Sequence, residues 1–364
     1  MRASGIQICG FLASFLALAP VSAGADENAA APRNRAQIDR CTTSHDATSR
    51  VWACSLLLNS TPPAPADAAA YHLSRGYAFL ALKWEAAALH DFAEALAFEP
   101  KLPEVYQVRV QIFRDRRDYR RAADDLSHLI ELSPSDPILH IERGSTLAFT
   151  GAFNDAIEDF TTAISMAESY EPIADFYLAR SATFEMAGQY EAALRDVETA
   201  LARNEDQARG LETKGRLLFL MNRWSEAQSV LTQAAAAEGA GPYAPIWLYL
   251  ANQRISGGKM AAVPAATSGT SWPAPVLDVL TGRARVADNL PIMWFLGRDD
   301  AFDAKTRLCE LSYFMGESLL GAGHADDARR YFKQAENTKL NELVLFHAAV
   351  HRLSALAETN AAFK

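Results

Sequence analysis

The sequence predicts an all-α solenoid of antiparallel helix pairs. The first observation is a repeat of 34 residues: Ala70 to Gly76 resembles Leu139 to Gly144, and Asp91 to Ala95 resembles Asp159 to Ala163, in each case two periods further along the chain. The second is that small residues recur in the same frame. The third is that larger apolar residues fill the positions between them at helical spacing. One helix pair cannot bury its own apolar face, so consecutive pairs are expected to stack.

Each repeat is numbered here from 1 to 34, with the glycine of the first at position 8. Small residues dominate three positions, which are 8 (Gly76, Val110, Gly144, Ser181, Gly215, Gly316), 20 (Ala88, Ala122, Ala156, Ala193, Ala227, Ala328) and 27 (Ala95, Leu129, Ala163, Ala200, Ala234, Ala335). Small residues at 8 and 20 allow helix A and helix B of one repeat to approach closely. Gly151, Gly188 and Gly323 lie at the turn between the two helices, where a positive φ is useful.

This pattern resembles the tetratricopeptide-repeat (TPR) family, whose period is also 34 residues. The resemblance implies a superhelical solenoid that binds proteins or peptides.

An arginine and an aspartate also recur in frame. Position 7 is Arg75, Arg109, Arg143 and Arg180, and position 23 is Asp91, Asp125, Asp159 and Asp196. We predict that each pair joins helix A to helix B and fixes their register more than it adds stability. The alternative is that these charges are solvated separately.

The repeats divide the chain into five segments. We predict a signal peptide in 1–25, a flexible lead and cysteine-stapled helical hairpin in 26–66, and five repeats in 67–238. An irregular helical linker follows in 239–308, then a sixth repeat-like unit with a capping helix in 309–364. An insertion around Tyr170 shifts the frame between repeats three and four.

The N-terminal residues read as a secretory signal. Arg2 precedes an apolar run from Ile6 to Pro20, and small residues near Ala23 and Ala25 offer cleavage sites. No lipidation motif surrounds Cys9. We therefore expect a soluble periplasmic or secreted protein that is not a lipoprotein, with no stable membrane insertion.

Export would permit disulfides in the mature chain. Cys41 and Cys54 flank a turn-like segment, and a bridge between them would staple a small hairpin, adding about 3 kcal/mol of stability. Cys309 is then unpaired, and we expect a buried thiol.

The second half resembles a narrower group, the NlpI-type periplasmic TPR adaptors. The resemblance rests on the helix that begins Pro245-Ile-Trp, on the Trp272-Pro segment and on the stretch from Glu310 to Gly316. It implies an envelope scaffold that holds peptidoglycan hydrolases or a periplasmic protease. The chain departs from that group because it lacks a lipid-attachment cysteine and has more repeats.

No motif for catalysis, a cofactor or a metal is found in the sequence. Phosphate loops, dinucleotide-binding glycines and a serine-nucleophile elbow are absent. His347 and His351 are four residues apart but lack the glutamate of a zinc-protease motif and a third ligand. The net charge of −9 disfavours nucleic acid as a partner.

The TPR resemblance implies a groove lined by helix-A positions such as 2, 9, 12 and 13. These positions carry Tyr77, Leu80, Gln111, Arg114, Ile138, Phe149, Glu185, Met186, Arg216 and Phe219. The lysine and asparagine of the family's two-carboxylate clamp are missing, since its positions carry Leu73 and Tyr77, then Ile141 and Ser145. An extended peptide or amphipathic helix suits such a groove better than a chaperone tail.

The sequence thus predicts an exported, non-catalytic scaffold for protein or peptide partners. Three alternatives stay open. The protein could assemble outer-membrane or secretion machinery, it could be an enzyme with a metal at His347 and His351, or it could self-associate, for example as a homodimer.

Overall fold

A computed structural model describes residues 32–60, 63–167, 173–203, 207–258, 271–285 and 301–362. The predicted signal peptide and Tyr170 lie outside these ranges. The described residues fall into two compact units, one up to residue 139 and one from residue 140. Across these ranges the chain forms seventeen helices, so the all-α prediction is confirmed.

The N-terminal unit contains a hairpin and two helix pairs. Its helices are α1 (Pro32–Thr43), α2 (Ala47–Ser60), α3 (Pro65–Ala81), α4 (Glu85–Phe98), α5 (Pro103–Asp115) and α6 (Tyr119–Leu132). Proline occupies the first turn of α3 and α5, where its missing N–H has no helical partner in any case. Helices α3 and α4 are the A and B helices of repeat one, and α5 and α6 are those of repeat two.

The hairpin is joined by the Cys41–Cys54 disulfide, and both sulfur atoms lie in the interior. Two polar contacts bind the hairpin to repeat one. The Ser74 hydroxyl donates to the Cys41 carbonyl at 2.5 Å, and Arg75 donates to the Ser55 hydroxyl at 2.9 Å. The hairpin therefore covers one side of α3 as a preceding repeat would.

The C-terminal unit contains the remaining helices, except that the first three residues of α7 precede the boundary. They are α7 (Pro137–Thr150), α8 (Phe153–Met166), α9 (Ile173–Met186), α10 (Tyr190–Ala202), α11 (Gln207–Leu220), α12 (Trp224–Ala236), α13 (Ala244–Ile255), α14 (Ala274–Leu280), α15 (Ala301–Gly321), α16 (Ala325–Glu336) and α17 (Val344–Ala362). Repeats three, four and five are the pairs α7–α8, α9–α10 and α11–α12, and the sixth pair is α15–α16.

The close approach of helix A and helix B depends on position 8. A Cβ added at Gly76 would lie 2.6 Å from the ring of Phe92, and one at Gly316 would lie 2.6 Å from the ring of Phe332. Both rings occupy position 24 of their repeats and are fully buried. The alanine at position 20 is also fully buried in all six repeats.

A large apolar core fills the C-terminal unit. Helices α13 and α14, which lie in the stretch expected to be an irregular linker, contribute to it directly. Trp247 of α13 is fully buried and contacts Phe219 of α11 at 5.4 Å and Phe314 of α15 at 5.2 Å between ring centroids. The core thus joins repeat five to repeat six through α13.

Candidate partner-binding surface

Each predicted arginine–aspartate pair connects the two helices of its repeat. The nitrogen–oxygen distances are 2.7 Å in repeats one and three, 2.9 Å in repeat two and 2.8 Å in repeat four. Three pairs are bidentate, with both Nε and a terminal nitrogen donating to the carboxylate (Arg75–Asp91, Arg143–Asp159 and Arg180–Asp196). Every aspartate is buried, so the pairs lie within the solenoid.

In repeats one and three, a histidine at position 4 also contacts the aspartate of the ion pair. His72 Nδ1 lies 3.0 Å from Asp91, and His140 Nδ1 lies 3.1 Å from Asp159. The repeat pattern does not reveal these histidines, because position 4 is not uniform and carries Tyr106 in repeat two.

Repeat two holds its aspartate less completely. Arg109 makes one hydrogen bond to Asp125, at 2.9 Å, and Arg109 Nε and Asp125 Oδ2 are buried without a partner. Burial, opposed only partly by Arg109, raises the pKa of Asp125 to about 6. In Asp91, by contrast, the bonds from Arg75 and His72 outweigh burial and hold the pKa below its usual value.

In the N-terminal unit, the predicted groove residues remain accessible. Gln111 is exposed, and Tyr77, Leu80, Arg114 and Ile138 are half-buried. The Tyr77 ring packs edge-on against Phe92 at 5.4 Å, and burial raises its pKa to about 12. Tyr77 and Leu80 of α3 also pack against the apolar cluster to which α5 contributes Val105 and Ile112. This part of α3 and α5 is called the binding face below, and it is defined by Tyr77, Leu80, Gln111 and Arg114.

In the C-terminal unit, the groove assignment of four residues is wrong. Glu185 and Met186 of α9 and Arg216 and Phe219 of α11 are all buried, with exposed fractions of 1%, 2%, 6% and 0%. Only Phe149 keeps a half-buried side chain.

Other helices of the same unit cover these positions. His351 of α17 lies 3.1 Å from the Met186 carbonyl oxygen through Nε2, and its ring packs edge-on against Tyr190. Trp247 and Arg254 of α13 lie against Phe219. The assignment of groove residues by repeat position assumed that this face of the A helices is open. In the structure, α13 and α17 pack against it.

The chain was compared with known proteins. It is 27% identical over 145 residues to human tetratricopeptide repeat protein 13, which covers 38% of this chain and 16% of that protein. It is 29% identical over 94 residues to a lipoprotein NlpI homolog of Haemophilus influenzae, covering 26% of this chain and 30% of that protein. It is 32% identical over 85 residues to the TPR repeat-containing thioredoxin TDX of Arabidopsis thaliana, covering 23% and 22%. The chain therefore spans less than a third of the length of each of these relatives.

A crystal structure of a tetratricopeptide repeat protein from Parabacteroides merdae aligns with 86% of this chain and 98% of its own, at 13% identity and a TM-score of 0.42. No family model matches the chain. Three observations nevertheless indicate the same fold. The in-frame repeats, the helix pairs and the names of the curated relatives all indicate tetratricopeptide repeats.

The chain has the repeat sequence and the helix-pair architecture of a tetratricopeptide-repeat solenoid.

The C-terminal unit buries several charged side chains. Glu317 of α15 is fully buried and accepts hydrogen bonds from Arg254 and Arg352, both at 2.6 Å, and from the Tyr313 hydroxyl at 3.0 Å. Burial alone would raise the pKa of Glu317, but the two guanidinium groups outweigh it and hold the pKa below the ordinary value. A second buried carboxylate, Glu310, accepts from the Tyr243 hydroxyl at 3.0 Å and from the indole of Trp272 at 2.5 Å.

The carboxylate of Glu317 thus pairs with guanidinium groups from two other helices, and these contacts hold α13, α15 and α17 together.

His347 and His351 each approach a backbone carbonyl oxygen, at 2.9 Å and 3.1 Å, rather than each other. In the ranges that the structure describes, no group of three metal-ligating side chains occurs. Cys309 is fully buried, and burial raises the pKa of its thiol to about 11. Among those same residues, no helix has the length and hydropathy needed to cross a membrane.

Proposed function

We propose that this TPR protein is an exported, non-catalytic scaffold that binds protein or peptide partners in the periplasm. The observation that carries the proposal is the contrast between equivalent helix-A positions. In repeats four and five these positions belong to the core, whereas in repeats one and two they present the accessible binding face.

The binding face has the chemistry that peptide recognition needs. Leu80 and the ring of Tyr77 offer apolar surface, and the Gln111 amide and Arg114 guanidinium offer hydrogen-bond donors. Mixed apolar and polar surface on helices that share an apolar cluster suits an amphipathic helix or an extended segment.

The similarity to a lipoprotein NlpI homolog guides the proposal for the client class. We infer that the clients are cell-wall hydrolases or a periplasmic protease that controls them. Assembly of outer-membrane or secretion machinery is the alternative, and a partner set of porin or secretin components would favour it.

The test is a crosslinked capture from envelope extract with the full chain and two matched variants. Gln111→Arg adds bulk and charge at an exposed residue of the binding face. His90→Arg adds the same side chain at an exposed residue of α4, in helix B of repeat one. We expect both variants to fold as the unaltered chain does, because neither residue is buried.

Enrichment of a hydrolase or protease that is lost in Gln111→Arg and kept in His90→Arg is the expected result. Equal capture by all three proteins would place the partner site elsewhere. Capture of no cell-wall enzyme at all would remove the proposed client class.

A further inference from the structure

The turn between helix A and helix B has a left-handed residue in every repeat. At position 15 the φ angles are positive throughout, at 63° in Lys83, 58° in Arg117, 85° in Gly151, 75° in Gly188, 60° in Asn222 and 86° in Gly323. Glycine adopts this conformation freely, and asparagine tolerates it, whereas lysine and arginine are strained there. Repeats one and two therefore place a long cationic side chain where glycine is easier to accommodate.

Other cations surround these two residues. The exposed side chains of Arg116, Arg120 and Arg121 follow α5 or begin α6. Arg120 and Arg121 lie in the first turn of α6, where the positive end of the helix dipole disfavours a cation. Local helix physics thus opposes four of the positions at which the cations occur: Lys83 and Arg117 by backbone conformation, and Arg120 and Arg121 by the helix dipole.

The two turns form one continuous surface. Arg116 donates to Glu85 through Nε at 3.0 Å and through a terminal nitrogen at 2.8 Å, which links the second turn to the start of α4. An open depression of about 600 Å³ is lined by Lys83, Trp84, Glu85, Ala86, Ala87 and Arg116. We call this surface the basic edge, comprising Lys83, Trp84, Arg116, Arg117, Arg120 and Arg121.

The charge of this surface is opposite to that of the chain. The basic edge carries five cations against the neighbouring carboxylates of Glu85, Asp115 and Asp118, which leaves a net charge of +2, whereas the whole chain carries −9. Trp84 adds an aromatic face, because its side chain is 58% exposed while one side stacks on Phe79 at 5.8 Å.

We propose that the basic edge docks an acidic segment of a partner protein, with an apolar side chain of that segment resting on Trp84. Guanidinium and ammonium groups form charge-assisted hydrogen bonds with carboxylates, and an exposed indole supplies the apolar contact. The carboxylates of Glu85, Asp115 and Asp118 lie among the cations, so the positive charge of this surface is not continuous. Such a pattern fits spaced acidic side chains better than the continuous charge of a nucleic acid or an anionic membrane.

This inference rests on the proposed scaffold function and assigns it a second surface, separate from the binding face. The two can fail independently. A partner lost with Gln111→Arg but retained when the basic edge is altered would leave the scaffold intact and remove the docking of an acidic segment.

The experiment uses the full chain and the double variant Lys83→Gly/Arg117→Gly. Glycine removes both cations and relieves both left-handed residues. Thermal melting of the variant beside the unaltered chain shows whether its fold is kept. Asn222→Gly is the matched control, because it makes the corresponding change at position 15 of repeat five without removing a cation.

The probe is a fluorescently labelled peptide in which glutamates alternate with leucines, measured by anisotropy. The same peptide with glutamines in place of glutamates, and vesicles of phosphatidylglycerol in phosphatidylcholine, are measured beside it. We expect the acidic peptide to bind, to bind at least about tenfold more weakly to the double variant, and to lose affinity as salt rises. Asn222→Gly should bind it as the unaltered chain does.

Three results would overturn the inference. They are equal affinity of the acidic peptide for the double variant, equal affinity of the glutamine peptide, and binding of the vesicles without binding of the peptide. The last result would assign the basic edge to an anionic lipid surface instead.

Discussion

Arg216→Met should destabilise the C-terminal unit strongly, because Arg216 is a buried counter-ion. Its Nε and a terminal nitrogen each donate to Glu185 at 2.8 Å, and the two side chains are 7% and 1% exposed. Glu212 lies in the same buried region, with one oxygen 3.1 Å from the backbone nitrogen of Ala244. Methionine would leave two buried carboxylates without their cation. Removal of one partner of a buried ion pair costs about 3–5 kcal/mol.

The loss should also depend on pH. Burial raises the pKa of Glu212, and Arg216 opposes this rise. Without Arg216 the folded-state pKa of Glu212 moves further above its unfolded value. A raised carboxylate pKa lowers stability as pH rises through that pKa, so Arg216→Met should cost less at pH 5 than at pH 8.

Urea unfolding followed by circular dichroism measures both effects. Arg209→Met is the matched control, since Arg209 also joins α11 to α9, through Asp175 at 3.3 Å, but both side chains are 39% exposed. A half-exposed pair of this kind contributes less than about 1 kcal/mol. The reasoning is refuted if Arg216→Met loses no more stability than Arg209→Met, or if its loss is the same at both pH values.

Three further outcomes are expected. Asp125→Asn should remove a stability loss that the unaltered chain shows as pH rises through about 6, because ionisation of the buried Asp125 carboxylate is unfavourable; identical pH profiles of the two proteins would contradict this. Gly316→Ala should lose up to about 2 kcal/mol in urea unfolding, since overpacking against Phe332 costs about 1–3 kcal/mol and helix propensity returns about 1 kcal/mol; a stabilised variant would show that the ring moves aside. Replacing Cys41 and Cys54 by alanine should lower the stability of the N-terminal unit by about 3 kcal/mol, and a reductant should have no further effect on that variant.

The repeat architecture was predictable because its determinants recur in frame. Alanine at position 20 and a small residue at position 8 report the same helix contact in each repeat, so each repeat supports the interpretation of the others. The arginine–aspartate pairs follow the same logic, since both partners recur at a fixed separation. His72 and His140 escaped because two occurrences of a residue do not make a pattern.

The exposure of single helix-A residues was not predictable in the same way. Whether Met186 is open or covered depends on His351, which is 165 residues further along the chain. Nothing within repeat four reports that contact. A repeat position specifies where a side chain lies within its own pair of helices, but the helices that cover it come from outside the repeat.

The backbone at position 15 is left-handed in all six repeats, whether or not the residue there is glycine. Gly151, Gly188 and Gly323 mark the turn in the sequence, yet the same backbone conformation in Lys83 and Arg117 becomes apparent only from the φ angles. At Gly151 and Gly323 a Cβ would meet nothing within 4 Å, so only the backbone conformation calls for glycine, whereas at Gly188 the missing Cβ also leaves room for the ring of His351. In repeats one and two position 15 keeps that conformation against the preference of the side chain, so selection for the turn alone does not account for the two cations. We expect the two cations to serve the docking of an acidic segment, and this is why replacement by glycine should weaken binding of the acidic peptide.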